Sequence, residues 1–354
     1  MVVPPWYELP PPGYGGLEQV CAALVDALVE RGHEVTLFGA GASTGTSARF
    51  VPTEAELQAH RLGQALPELA HLARVNRLIS PEVFDLVHDH TTTGPLVAPL
   101  RPVPTVATVH GRPKGELGDI LREVDPSVGL VAISAAQRRL HPELRWAATV
   151  HHGIRWDGLP HKSTPGTGPV LWLARFSADK GPDLAIRSCR AAGLPLVLAG
   201  KLDDPLEKRY FAEVVEPMLG PDVRVVRNPD RETCLELLLA ARSMVLPIRW
   251  EEPFGMVMLE AMATGTPVVA LDRGAVPELI RSGVTGVVCR DPAELPDALR
   301  QAAVLDPGDC VTHVRTRFSA ERMAEGYEAL YRDFAVSAAP EPVRAGLAPA
   351  TARH

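Results

Sequence analysis

"SMVLPIRWEEPFGMVMLEAM" runs from Ser243 to Met262 and reads as a strand, a loop and a helix in immediate succession. The run 243–248 is apolar and of strand length, while 255–263 is apolar nearly all round, so the predicted helix is packed on most sides. A single charge, Glu260, interrupts it, and Glu252 stands eight residues earlier beside Pro-Phe-Gly. A buried carboxylate without a partner costs on the order of several kcal/mol or gives up its charge. Glu260 therefore needs either a buried arginine or a ligand that donates hydrogen bonds.

The same alternation extends outward in both directions. In the first half, strand candidates lie at 34–38, 85–90, 104–110, 128–134 and 147–153, separated by amphipathic stretches such as 16–30. The pattern stops at "RWDGLPHKSTPGTGP" (155–169), where Pro, Gly and polar residues follow no period. It restarts at 170–176 and continues through 194–200, 223–226, 243–248, 266–271 and 285–289. Alternation of this kind predicts an α/β protein with parallel sheets covered on both faces. The expected domains are 1–154 and 170–317, joined by a linker at 155–169. A last helix over 318–335 and a disordered tail over 336–354 complete the chain.

Composition narrows the function. The 354 residues are 46% hydrophobic and 22% charged, with a net charge of −7. An acidic balance argues against nucleic acid as a partner. Only five of the 36 basic residues are lysine, which makes each lysine conspicuous. Five scattered cysteines with no C-x-x-C pair indicate neither a disulfide framework nor a zinc site, and fit a cytoplasmic protein. No stretch reaches the roughly 18 apolar residues of a membrane span, and basic amphipathic character is modest, so membrane association is peripheral at most.

Ligands of open parallel sheets bind outside the carboxyl ends of the strands. Several chemically suggestive residues fall there. "PPGYGGLEQV" (11–20) is a glycine turn that opens a helix, and Gly15 and Gly16 let backbone N–H groups approach an anion. In "LARFSADKG" (173–181), Arg175 and Lys180 offer two cations suited to a diphosphate. Gly255, Met256 and Val257 form the first turn of a helix aimed at the same edge. A carboxylate such as Glu260 is a usual partner for ribose hydroxyls. His110 ends the strand in "TVATVHG" (105–111), at the expected cleft rim. His88 and His90 flank Asp89, but a His-x-His pair lacks further ligands nearby, and Asp203-Asp204 is too small a cluster for a divalent ion. No metal is assigned.

Taken together, "EEPFGMVMLEAMATGTPVVALDRGAVPELI" resembles the E-x7-E region of retaining glycosyltransferases of family 4. "YGGLE" (14–18), "TVHG" (108–111), "VAIS" (131–134), "LARFSADKG" and "GVTGVVC" (283–289) fall where that family has counterparts, and "FSAERMAEGYEALYRDF" (318–334) resembles its terminal crossing helix. The resemblance implies the GT-B fold: two facing Rossmann-like domains with the active site in the cleft between them. It implies a nucleoside-diphosphate sugar as donor substrate, no cofactor, and a small-molecule, glycan or lipid acceptor. By the same resemblance Arg175 and Lys180 bind the diphosphate with the backbone of Gly255–Val257, and Gly15 and Gly16 line it. Glu260 accepts from the ribose, Glu252 holds the donor-sugar hydroxyls, and His110 sits beside the sugar. Arg227 is grouped with the donor-binding residues, near the base.

Three departures from the family pattern stand out. Only "MVV" precedes "PPWY", Arg227-Asn228 replaces a small turn, and Lys201-Leu202 replaces a glycine-rich one. Other readings of the same frame are a nucleotide-sugar epimerase or hydrolase, an NAD-dependent dehydrogenase, and an inactive nucleotide-sugar sensor. "GYGGLE" is not G-x-G-x-x-G, which weighs against the dehydrogenase.

Overall fold

The computed structural model describes residues 1–11, 15–42, 45–156 and 158–337. The first half builds its sheet from β1 (Thr36–Ala40), β2 (Arg49–Glu54), β3 (Val87–Asp89), β4 (Thr105–Val109), β5 (Gly129–Ala132) and β6 (Trp146–Thr149). β2 pairs with β1, and β3 through β6 pair in succession, all in parallel. Val2 bridges Phe38 on one side and Asp89 on the other. Its N–H donates to the His88 carbonyl at 2.8 Å, and the Val3 N–H to Phe38 at 3.0 Å. The short opening segment thus does the work of a strand, and the order becomes β2-β1-(1–3)-β3-β4-β5-β6.

The second half repeats this plan. Its sheet comprises β7 (Val170–Leu173), β8 (Leu196–Gly200), β9 (Val223–Arg227), β10 (Met244–Leu246), β11 (Val268–Leu271) and β12 (Gly286–Cys289). All neighbours are parallel, in the order β12-β11-β10-β7-β8-β9. The strand order reverses beside β7 and β10 here, and beside residues 1–3 and β3 in the first half. A doubly wound sheet opens its ligand crevice at such a switch point. The loops that carry Gly15-Gly16, Arg175-Lys180 and Glu252 all leave strands at these two places.

Every strand expected from the sequence is present, most of them shortened at an end. β2 was not foreseen. Arg49–Glu54 is an edge strand of half-buried and exposed residues with Pro52 inside it, so it lacks the apolar run by which buried strands are recognised.

The last helix, Ala320–Ser337, returns to the first half as expected. Met323, Tyr327 and Leu330 pack with Val20, Leu24 and Leu28 of the helix Gly16–Glu30 and with Val106 and Val131 of the sheet. Each fully buried Leu- or Val-sized side chain there contributes about 1.5–3 kcal/mol. Polar contacts set the helix's register: Glu328 accepts from Arg31 at 2.6 and 2.8 Å, and Tyr331 Oη lies 2.7 Å from His88 Nδ1. At Gly129 a Cβ would fall 2.3 Å from the Phe334 ring, so only glycine lets this helix lie so close to β5. The tail expected to be disordered lies, from residue 338 onward, outside the described residues, as does Tyr14 of the glycine turn.

Candidate active site

The strand–loop–helix unit at 243–262 folds as its sequence suggests. β10 is fully buried, and the helix Met256–Ala263 follows with six of its eight residues buried, leaving Met256 and Glu260 half-exposed. Gly255 caps it in the left-handed region, φ 98°, which only glycine adopts at little cost. The helix therefore starts abruptly, with its first free N–H groups at the edge of a cleft of about 390 Å³.

That cleft gathers most of the residues singled out by sequence. Gly15, Gly16 and His110 line it from the first half; Arg175, Lys180, Glu252, Gly255, Met256 and Val257 line it from the second. Lys201 and Trp250 join them. Glu260 faces an adjoining cavity of about 520 Å³ instead, and Met256 borders both. Arg227 is in neither lining: its guanidinium lies over the Phe211 ring, 4.8 Å from the centroid, and 4.0 Å from Glu216.

Lys180 and Glu252 meet each other directly. The ammonium lies 2.5 Å from Glu252 Oε2, which also accepts from the Trp250 indole at 3.1 Å. Lys180 sits 4.8 Å over the same indole ring. The loop bearing Lys180 is pinned from below: Trp172 donates to the Lys180 carbonyl at 3.0 Å, and Arg249 to the Ala178 carbonyl at 2.7 Å. A Cβ at Gly181, φ 67°, would collide with the Pro247 carbonyl at 2.3 Å. Glu252 is held from behind, where its carbonyl accepts from Ala275 N–H at 2.9 Å. Arg175 is looser, with a side chain 59% exposed and an ion pair to Glu207 at 3.1 Å.

Burial shapes the protonation of the site. His110 is pushed down to about 4 by desolvation, so its imidazole is neutral at physiological pH. Its Nε2 lies 2.9 Å from His90 Nδ1, and its ring stacks on His152 at 5.1 Å. Desolvation drives His88, His90 and His152 well below the ordinary histidine range too. Cys21, His90 and His110 present ligand-capable atoms within 4.8 Å of one another. However, His90 and His110 already bond each other, and burial pushes the Cys21 thiol well above its usual range. The cluster is better suited to packing than to coordination. Glu260 is raised to about 7, first by desolvation, with Arg231 partly offsetting it.

Two family models cover most of the chain: the Glycosyltransferase Family 4 model matches residues 14–155, and the model for Glycosyl transferases group 1 matches residues 162–305. The chain belongs to the GT-B glycosyltransferases of this family. Among its relatives, a glycogen synthase of Mycobacterium tuberculosis is 27% identical over 91% of this chain and 90% of its own. D-inositol 3-phosphate glycosyltransferase 1 of Catenulispora acidiphila is 27% identical over 83% of each chain. The crystal structure of AviGT4, a glycosyltransferase involved in avilamycin A biosynthesis, matches with a TM-score of 0.74 at 26% identity, over 95% of this chain and 97% of that one.

Some residues of this glycosyltransferase site were not foreseen. Gln137 donates to the carbonyls of Val109 and Gly111, both at 2.8 Å, and so brackets His110. The signal was present: Ser134-x-x-Gln137 is a capping-box spacing, and Ser134 does cap the helix Ala135–Leu140. Trp250 was masked by its acidic neighbours. Of the lesser motifs, Asp204 caps the helix Pro205–Tyr210 and Asp203 accepts from Asn228, which accounts for the acidic pair. His151 reaches Glu278 at 2.9 Å, a contact between the halves.

Proposed function

We propose that this glycosyltransferase moves a sugar from a nucleoside-diphosphate donor to an acceptor hydroxyl with retention of anomeric configuration. In the transfer the bond from the anomeric carbon to the diphosphate oxygen breaks, the bond to the acceptor oxygen forms, and the acceptor hydroxyl proton passes to the departing diphosphate oxygen. The observation that carries this reading is the convergence of Lys180, Arg175 and the N-terminus of the helix Met256–Ala263 on one cleft edge, with His110 opposite. Charge develops on the leaving diphosphate, and fixed donors aimed at it stabilise that charge without a divalent ion. No cofactor is part of the proposal. Glu252, already hydrogen-bonded to Lys180, would hold donor-sugar hydroxyls, and Glu260 would accept from the ribose in the adjoining cavity.

Gly15 and Gly16 would line the diphosphate from the first half. A Cβ at Gly15 would fall 2.7 Å from the Glu18 carboxylate, so a side chain there would disturb the turn. The acceptor, whether small molecule, glycan or lipid, would enter from the first half. Among the described residues no helix is long and apolar enough to cross a membrane. The five cysteines are free and buried, which supports the cytoplasm as the setting we propose.

Calorimetric titration with UDP, GDP, ADP, dTDP and NAD tests the donor. We expect one nucleoside diphosphate to bind tightly and NAD not to bind; binding of NAD alone would overturn the reading in favour of a dehydrogenase. Donor turnover that no acceptor accelerates beyond slow release to water would favour an epimerase or hydrolase. Substituting His110→Ala should lower turnover by about 10²-fold while leaving the nucleoside diphosphate dissociation constant within roughly threefold, since a neutral imidazole beside the sugar acts on the transition state. Equal losses in both would remove His110 from the reacting centre.

A further inference from the structure

Glu278 lies outside both cavities, on the helix Val276–Leu279 of the second half, yet its carboxylate is spent on the first. Oε2 accepts from the Ala135 N–H at 2.8 Å and Oε1 from the Ala136 N–H at 2.6 Å. His151 Nε2 lies 2.9 Å from Oε2, and Arg139 Nη1 3.9 Å from Oε1. A carboxylate from one half thus caps the first turn of a helix in the other.

Both ends of this contact run on to the active site. On the second-half side, the Glu278 N–H donates to the Ala275 carbonyl at 2.9 Å, and the Ala275 N–H donates to the Glu252 carbonyl at 2.9 Å. Gly274 packs so closely that a Cβ would lie 2.2 Å from the Glu252 carbonyl oxygen. On the first-half side, the capped helix carries Gln137, whose amide holds the carbonyls on either side of His110 while its Oε1 accepts from Ile133 N–H at 2.8 Å. We infer that Glu278 and Gln137 form a hydrogen-bonded strut that sets the separation and orientation of His110 and Glu252 across the cleft. They are positioning residues, and the inference rests on the proposed placement of His110 and Glu252 around the donor sugar. A misplacement of about 1 Å at reacting groups costs on the order of 10²-fold in rate, so a strut of this kind is worth its buried charge.

Two variants test it. Glu278→Ala removes the acceptor; Ala135→Pro removes one donor and leaves Glu278 in place. Proline is well tolerated at the first position of a helix, and the preceding Ser134 is already extended at φ −155°, ψ 157°. Spin labels at Leu100→Cys and Val304→Cys, exposed positions on opposite halves, report their separation by dipolar spectroscopy. We expect the distance distribution to broaden in both variants. Release of nucleoside diphosphate from the glucose conjugates of UDP, GDP, ADP and dTDP should show kcat lowered about 10–100-fold in Glu278→Ala and less in Ala135→Pro, with binding of the free nucleoside diphosphate within threefold. Unchanged distances with unchanged kcat would overturn the strut, and so would losses in kcat and affinity that track a fall in Tm. Wild-type protein that binds no nucleoside diphosphate would count against the donor reading instead, while the label distances still decide the strut.

Discussion

Replacing Lys180 with alanine is expected to slow turnover by about 10²–10³-fold, the usual loss when one preorganised donor to a developing charge is removed. The nucleoside diphosphate dissociation constant should rise as well, by about tenfold or more, because a charge-assisted hydrogen bond is worth on the order of 1.5–3 kcal/mol. The effect is large because Lys180 is not a surface cation. Its side chain is 14% exposed, clamped between Glu252 and the Trp250 ring, and its backbone is tied to Trp172. Its loss also strands Glu252, leaving the Trp250 indole as the donor to that carboxylate. Breaking a buried pair from one side commonly costs about 3–5 kcal/mol, so the variant should melt earlier too. Arg175→Ala should act in the same direction but more weakly, since that side chain is mostly exposed and shared with Glu207. Steady-state kinetics and calorimetry on both variants check this, and wild-type values in both would end the diphosphate assignment.

Glu260→Gln is expected to make the protein more stable and its ribonucleotide site worse. The carboxyl is held near pKa 7 in the fold against 4.5 for an ordinary glutamate. Between those values the folded protein keeps a proton that the unfolded chain has released, so stability falls as pH rises, and the full cost is reached above pH 7. Allowing for partial access of water at the cavity wall, that cost is on the order of 2 kcal/mol. The glutamine variant should therefore melt higher than wild type at pH 8 and no higher at pH 4.5. In exchange, the ribonucleotide should bind about 10–100-fold more weakly, the loss expected for a charged acceptor of two hydroxyls, while free pyrophosphate binds as before. Wild-type affinity should also improve through pH 7 relative to the variant, as Glu260 ionises. Equal weakening of ribonucleotide and pyrophosphate would make Glu260 a structural residue.

Glu260 shows how far a linear reading carries. Its isolation was visible in sequence, because a helix apolar nearly all round packs on most sides and a lone carboxylate on it demands a partner. The same local logic placed Gly255 and the cations at 175 and 180 at the edge of the cleft, and eleven of the twelve strands among the described residues. Arg227 shows the limit: its place at the end of β9 was legible, but its side chain stacks on Phe211, which only folding brings near.

What the sequence by itself determined was the doubly wound α/β plan and the residue types at each strand end, since both follow from short-range pattern and backbone chemistry. Tertiary structure alone decided who meets whom. Lys180 pairs with Glu252 across 72 residues, Gln137 brackets His110 from 26 and 28 residues away, and Glu278 caps a helix more than 140 residues distant. Such contacts depend on the packing of two sheets and a returning helix, a geometry that no local period encodes.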